Sequence, residues 1–275
     1  MVKFGLLGEK LSHSLSPKIH ELLFRELDIE GTYSLLEIEK GNLATAFARL
    51  HENYGGVNVT IPYRPEVTPL LTKISPEAAA IGAVNTICFK DRDAYGYNTD
   101  YYGFGFLLRH NDIEVVGKNV AVLGSGGAAR AVLQYLSDFG ARNVLVVSRN
   151  PEHSSEALSG MALKVPVEFC DYSSLFNCGR GDVIINCTPL GMFPHVADSP
   201  VPQQIAAGFA AAVDLIYNPL ETVFLRQARE AGKKTANGLL MLVAQAVAAE
   251  EIWLERKIDG NIIIKIAQTI SGENQ

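Results

Sequence analysis

Chemistry in this sequence starts from polar side chains set at the ends of apolar segments. Ser14 and Ser16 stand where a helix opens with Ser16-Pro17 and turns Ile19, Leu23 and Leu27 inward. Serine followed by proline is a good N-cap and first helical residue, which by itself accounts for Ser16. Two hydroxyls beside the positive end of a helix also make a small anion site fit for a carboxylate. His13, in the same loop, reads as structural. Further on, Val57, Val59 and Ile61 alternate with Asn58 and Thr60, so a strand with one apolar face carries an amide and a hydroxyl on the other. Pro62 ends it and throws Arg64 into the loop at its C-terminal edge, where open α/β sheets bind ligands.

Asn85 lies in a strand read over Gly82–Ile87, and Asp100 precedes a helix over Tyr102–His110. Asp100 has a sufficient reason as a helix N-cap, and asparagines near strand ends are common. Yet Ser14, Ser16, Thr60, Asn85 and Asp100 all fall at element ends of one α/β unit. Several hydroxyl and amide partners with a carboxylate suit a small polyhydroxylated acid. Gln245 is the one uncharged polar residue in the apolar run Leu239–Ala249, where a core glutamine bonded to backbone is an equal reading.

A second chemistry is carried by Gly124-Ser125-Gly126-Gly127-Ala128-Ala129. A buried strand runs into it, and a helix with Ala129, Val132, Leu136 and Phe139 on one face leaves it. In that strand–turn–helix context Gly124 allows the tight turn and Gly126 a close approach of backbone to pyrophosphate. Ala129 lets the helix lie close on the sheet, and the helix end offers N–H groups to phosphates. Phe139-Gly140 closes the helix and Asn143–Val147 is the next strand, ending at Ser148-Arg149-Asn150. Enzymes for NAD place an acid there for the ribose 2′-hydroxyl, but no acid follows until Glu152. Arg149 can stack on adenine and pair with a 2′-phosphate, so NADP is expected over NAD, with His153 a weak second base.

The surrounding elements repeat the α/β pattern. A strand Val2–Leu7, a strand Thr32–Ile38 and a helix Leu43–His51 accompany the first group; strands Asp182–Asn186 and Ala210–Ile216 follow the second, ending in Thr188 and Tyr217 on the cofactor side. Helices Glu221–Ala231, Leu239–Leu254 and Ile262–Ile270 complete the chain. At 275 residues, with 48% hydrophobic and 20% charged residues, it suits two globular domains rather than a disordered chain. The net charge of −6 and the lack of a Lys/Arg block exclude nucleic acid as a partner. No signal peptide or membrane span is legible, and the four scattered cysteines read as reduced core thiols of a cytoplasmic protein. Neither they nor the six histidines have metal-ligand spacing, so no metal is expected.

The stretches Ser12-His13-Ser14-Leu15-Ser16-Pro17, Gly56–Pro62, Gly82–Thr86, Asn98-Thr99-Asp100, Gly124–Arg130, Asn186–Gly191 and Asn237–Ala246 resemble the shikimate dehydrogenase family along almost the whole chain. The resemblance implies an α/β fold of two α/β domains. Residues 1–101 plus 238–275 would form a substrate-binding domain, and residues 102–237 a Rossmann-type NADP-binding domain inserted between its segments. It implies reduction of 3-dehydroshikimate to shikimate with NADPH, on the route to chorismate and the aromatic amino acids, by a monomer or homodimer. Ser14 and Ser16 would hold the substrate carboxylate; Asn58, Thr60, Asn85, Asp100, Tyr217 and Gln245 would surround the rest of it. Gly124, Ser125, Gly126, Gly127, Ala128, Ser148, Arg149, Asn150 and Thr188 would hold the cofactor, with the backbone of Leu215 and Gly238 at its nicotinamide end.

The family pattern ends its strand motif in proline, an aromatic or histidine, and a catalytic lysine, whereas this sequence has Arg64. Arginine stays charged at any working pH and cannot exchange a proton as lysine can. Arg64 and Asp100 are therefore the expected catalytic pair, with slowed turnover. The alternative is a paralogue that binds the same ligands as a sensor, or acts on another substrate such as quinate.

Overall fold

The computed structural model describes residues 1–11, 14–178 and 181–273; Ser12, His13 and the side chain of Cys178 lie outside the described residues. The chain divides into two compact units, Met1–Tyr102 with Val243–Gln275, and Gly103–Leu242. The first begins β1 (Val2–Gly8), α1 (Ser16–Glu26), β2 (Gly31–Glu37), α2 (Leu43–Asn53) and β3 (Gly56–Val59). It continues with β4 (Lys73–Ile74), α3 (Pro76–Ile81), β5 (Thr86–Lys90), β6 (Asp93–Tyr97) and the start of α4 (Asp100–His110). Its sheet has the order β2-β1-β3-β5-β6-β4, parallel among β1, β2 and β3 and antiparallel from β3 through β6. Helix α2 turns Leu43, Phe47 and Leu50 onto Leu7, Val57, Val59 and Ile87, a core in which each fully buried large side chain contributes about 1.5–3 kcal/mol.

The second unit runs β7 (Asn119–Leu123), α5 (Gly127–Asp138), β8 (Asn143–Val147), α6 (Pro151–Leu158), β9 (Val167–Cys170) and α7 (Tyr172–Cys178). Then follow β10 (Gly181–Asn186), α8 (Gln203–Ala206), β11 (Phe209–Asp214), α9 (Val223–Glu230) and β12 (Lys234–Ala236). The sheet is parallel throughout, in the order β12-β11-β10-β7-β8-β9. That is the doubly wound order of dinucleotide-binding sheets, with the reversal beside β7. Its inner strands β7, β10 and β11 carry runs of buried apolar residues, as parallel strands covered on both faces do. Two helices, α10 (Leu239–Leu254) and α11 (Asn261–Glu273), end the chain. Among the described residues no helix is long and apolar enough to cross a membrane.

Several local expectations are corrected. Strand β3 stops at Val59, and Ile61 is 78% exposed instead of continuing the apolar face. The proline at 62 restricts residue 61 and removes a ladder donor, so the chain leaves the sheet after Thr60 bonds Leu7. Ser16 is the first residue of α1, not its N-cap; Leu15 holds that position, and the Ser14 Oγ accepts the Ser16 N–H at 3.2 Å. Gly82, at φ +70°, closes α3 by accepting the left-handed conformation, so the strand bearing Asn85 starts only at Thr86. Asp100 is the first residue of α4, and the side chain that caps its N–H is Asn98, at 3.1 Å. Phe139 is 42% exposed at the end of α5, where its ring stacks on Tyr135 instead of entering the core. Cys88 is buried, and Cys170 is half-buried against the core of the second unit.

Candidate active site

In the first unit, strand ends and one helix start gather a continuous polar network. The loop after β3 returns Arg64 over the sheet edge, where its Nε donates to the Val59 carbonyl at 3.1 Å. Its Nη1 donates to Asp100 Oδ2 at 2.7 Å, with the two side chains 22% and 9% exposed. The other Asp100 oxygen, Oδ1, accepts from Asn85 Nδ2 at 2.9 Å. Asp100 sits in the first turn of α4, where the helix dipole favours a carboxylate. The Asn85 amide is fixed from both ends: its Oδ1 accepts the Thr99 N–H at 2.8 Å and the Thr86 hydroxyl at 3.0 Å.

Asn58 is buried, and its Nδ2 donates to Thr86 Oγ1 at 3.0 Å while its Oδ1 accepts from Tyr33 at 2.7 Å. Its amide therefore serves the network rather than an open face. The Thr99 hydroxyl donates to Gln245 Oε1 at 3.3 Å, which ties the half-buried Gln245 of α10 to the same group. Thr60, half-buried, packs its methyl beside Gly8. Ser14 and Ser16 are half-buried at the start of α1; because Ser14 accepts the Ser16 N–H through a lone pair, its own O–H is left to donate elsewhere. A cation, a carboxylate, hydroxyls and amides thus share one unit, and together they can orient a polyol and stabilise a charge forming on oxygen.

Tyr217 belongs to the second unit, just beyond β11, where burial pushes its phenol up. In that unit Gly124 takes φ +94°, and a Cβ there would lie 2.9 Å from the Thr188 side chain, so only glycine fits. Gly126 caps α5 with no side-chain bond to its first turn, and a Cβ on Gly126 or Gly127 would meet nothing within 4 Å. An open glycine cradle at the N-terminus of a 12-residue helix fits a phosphate group, and the residues present satisfy a dinucleotide there. Ala128 follows in the first turn. The Ser125 and Ser148 hydroxyls each lie 2.8 Å from the Ser154 hydroxyl, joining the glycine loop to the end of β8. Asn150 caps α6 by accepting the His153 N–H at 3.1 Å, which commits its side-chain oxygen to the helix. Arg149 is exposed, close enough to Tyr172 to oppose the rise that burial imposes on that phenol.

The ends of β10 and β11 are organised by a residue that sequence reasoning missed. Asp214 is fully buried and accepts from Asn186 Nδ2 at 3.0 Å, the Ile216 N–H at 3.1 Å and the Thr222 hydroxyl at 2.7 Å. Burial lifts its carboxyl to about 6, against the three donors. Asn186 in turn accepts the N–H and hydroxyl of Thr188, at 3.0 and 2.7 Å. Leu215 and Gly238 touch through backbone: a Cβ on Gly238 would sit 2.0 Å from the Leu215 carbonyl oxygen. The available signal was a lone acid inside the apolar strand Ala210–Ile216. Next to it, burial also pushes the Cys187 thiol up. Among the described residues, no three His, Cys, Asp or Glu side chains are grouped to hold a metal ion.

Residues 6–87 match a family model described as the shikimate dehydrogenase substrate binding domain, and residues 108–192 one described as shikimate/quinate 5-dehydrogenase. A curated relative from Clostridium beijerinckii, named shikimate dehydrogenase (NADP(+)), is 49% identical over 94% of this chain and 94% of its own length. A chorismate mutase/shikimate 5-dehydrogenase fusion protein from Clostridium acetobutylicum has a similar crystal structure, with TM-score 0.94 and 47% identity over 99% of this chain and 98% of that one. The structure of shikimate 5-dehydrogenase from Thermus thermophilus in complex with NADP(H) and shikimate gives TM-score 0.86 at 31% identity, covering 98% of this chain and 99% of that one.

Proposed function

The chain belongs to the shikimate dehydrogenase family, and from that premise we propose that it interconverts 3-dehydroshikimate and shikimate with NADP(H), at a turnover held down by Arg64. Residues 1–101 and 238–275 bind the substrate in this reading, and residues 102–237 bind the cofactor. The observation that carries it is the Arg64–Asp100 ion pair at 2.7 Å, in the same unit as Ser14 and Ser16. Ser14 and Ser16 donate to the substrate carboxylate. Thr60, Asn85, Asp100 and Gln245 take its ring oxygens, and the phenol of Tyr217 adds a further partner. The glycine cradle from Gly124 to Ala128 holds the pyrophosphate, Ser148, Arg149 and Asn150 the adenosine end, and Thr188, Leu215 and Gly238 the nicotinamide end. The bound cofactor supplies or takes up the hydride.

As the carbonyl oxygen becomes an alkoxide, Arg64 supplies a fixed positive charge and donors to it. The guanidinium has no proton to release, so the proton passes through Asp100 or water. In the oxidation direction Asp100 accepts it from the substrate hydroxyl. The test is nicotinamide absorbance on mixing protein, shikimate and NADP. Slow but enzyme-dependent reduction of NADP is expected; neither turnover nor shikimate binding would overturn the reading. A second reading is favoured by the same ion pair, since Arg64 occupies one oxygen of the only carboxylate in this polar network as described. A protein that binds shikimate tightly without turnover, or that oxidises quinate faster, would be that sensor or quinate-directed paralogue.

A further inference from the structure

The polar network of the first unit has an origin that no substrate role explains. Tyr33 lies on β2, and its ring stacks on the His20 ring of α1 with centroids 3.9 Å apart and planes 6° from parallel. His20 Nδ1 is held at 2.6 Å from Glu250 Oε1 of α10, and both side chains are fully buried. Trp253 closes a third side, 5.6 Å from His20 and 6.5 Å from Tyr33, its own Nε1 fixed on the Ile87 carbonyl at 2.9 Å. The Tyr33 ring is therefore held by elements from both ends of the chain.

From that fixed ring the hydroxyl reaches the polar network at Asn58. It donates to Asn58 Oδ1 at 2.7 Å. The Asn58 bond starts a chain in which every donor points the same way: Tyr33 to Asn58, Asn58 Nδ2 to Thr86, Thr86 to Asn85 Oδ1, and Asn85 Nδ2 to Asp100. Amides such as Asn58 and Asn85 can be satisfied in either of two flipped orientations. The Thr99 N–H, which only donates, and the Asp100 carboxylate, which only accepts, fix Asn85, and the Tyr33 O–H satisfies Asn58 Oδ1 in the orientation that keeps Asn58 Nδ2 on Thr86. With both amides so oriented, the Nδ2 groups face onward, and Asn85 presents a donor to Asp100 instead of a repelling oxygen.

We propose that Tyr33 is a positioning residue for the substrate, holding Asn58 directly and, through Asn58 and Thr86, the Asn85–Asp100 end of the donor chain. It touches no reacting atom. The inference rests on the reading of Asn85 and Asp100 as substrate residues and deepens it.

Tyr33→Phe keeps the ring, its stack on His20 and its packing on Trp253, and removes only the hydroxyl. The expected result, from equilibrium titration of shikimate and from initial rates, is a five- to fifteenfold rise in Kd and KM for shikimate. KM for NADP and the thermal midpoint should stay close to wild type. Because the effect acts through Asn58, a double-mutant cycle separates it from general loosening. In an Asn58→Ala background the same Tyr33→Phe change should cost less than half as much. Shikimate affinity unchanged in Tyr33→Phe, an equal cost in both backgrounds, or a variant that fails to fold with its stacking intact each overturns the proposal. Asn85→Ala tests the underlying reading separately: if it leaves shikimate affinity alone while Tyr33→Phe lowers it, the assignment of Asn85 to the substrate fails and the positioning role of Tyr33 stands on Asn58.

Discussion

Arg64→Lys is the substitution with the most to say about mechanism. The guanidinium is anchored at two points, on Val59 O at 3.1 Å and on Asp100 Oδ2 at 2.7 Å, and is 22% exposed. Unit charges about 4 Å apart at an effective dielectric of 20 attract by about 4 kcal/mol before desolvation, so the cation is firmly seated and its positive charge is present at every pH. A lysine Nζ keeps the charge, gives up the bond to Val59 by its shape, and gains the ability to give and take a proton. General acid–base help is typically worth about 10²–10⁴-fold. Since part of that is already supplied by Asp100 or water, a gain in kcat of at least about tenfold is expected, which corresponds to roughly 1.4 kcal/mol of barrier. KM for shikimate should change by less than about threefold, because charge at the site is conserved while one hydrogen bond worth about 1 kcal/mol is not made to substrate. The assay is the initial rate of NADP reduction by shikimate across pH. The lysine variant should show a limb rising with pH as the amine loses its proton, and the arginine enzyme should lack it. Asp100→Asn in the arginine background should remove most remaining turnover while shikimate still binds. If the arginine enzyme already turns over at ordinary rates, on the order of 10 s⁻¹ or more, and Arg64→Lys gains neither rate nor pH limb, position 64 only orients substrate and the proton argument is wrong.

Ser14→Ala removes a hydrogen bond to a charged group, worth about 1.5–3 kcal/mol, so KM for shikimate should rise about tenfold with cofactor affinity spared; a lower melting point with KM unchanged would make that loop purely structural. Arg149→Ala should erase most of the preference for NADP over NAD in kcat/KM, and a preference left intact would move 2′-phosphate recognition elsewhere. Asp214 has its carboxyl raised to about 6 in the fold against an unfolded value near 3.8. The fold therefore favours the protonated form, and this group's contribution is full below about pH 4 and lost as pH rises through 6, by roughly 3 kcal/mol in all. Asp214→Asn is neutral throughout, so its stability relative to wild type should improve by about that amount between pH 4 and pH 7 in denaturant unfolding; a difference that does not change with pH contradicts the burial argument.

How much of this was legible in the chain depends on how far apart the interacting residues lie in it. The Gly124 turn, its strand and its helix could be read directly because the motif is local. Apolar periodicity fixes the strand and helix, and φ +94° at Gly124 is a demand that one residue type meets. The same holds for the α/β alternation, and so for two α/β units with a doubly wound sheet in the second. Local rules also set the errors. A proline at 62 and a left-handed Gly82 moved strand ends by several residues, and the Ser14 hydroxyl displaced Ser16 from the cap.

What the sequence determined by itself was the type and order of the elements, and which polar residues stand at their ends. Which of those residues meet was decided only by tertiary structure. Arg64 and Asp100 are 36 positions apart, Asn58 and Thr86 are 28, and His20 and Glu250 are 230. Their pairing follows from sheet order and register: β3 lies between β1 and β5, and Asn58 stands opposite Thr86 in the antiparallel ladder. A one-residue slip would turn every side chain of a strand to the other face. Nothing in the local pattern of Tyr33 or Asp214 records a partner, because hydrogen-bond partners and burial are properties of the packed chain. Period and propensity act over a few residues; the polar network that ends at Asp100 exists only once the sheet has closed around it.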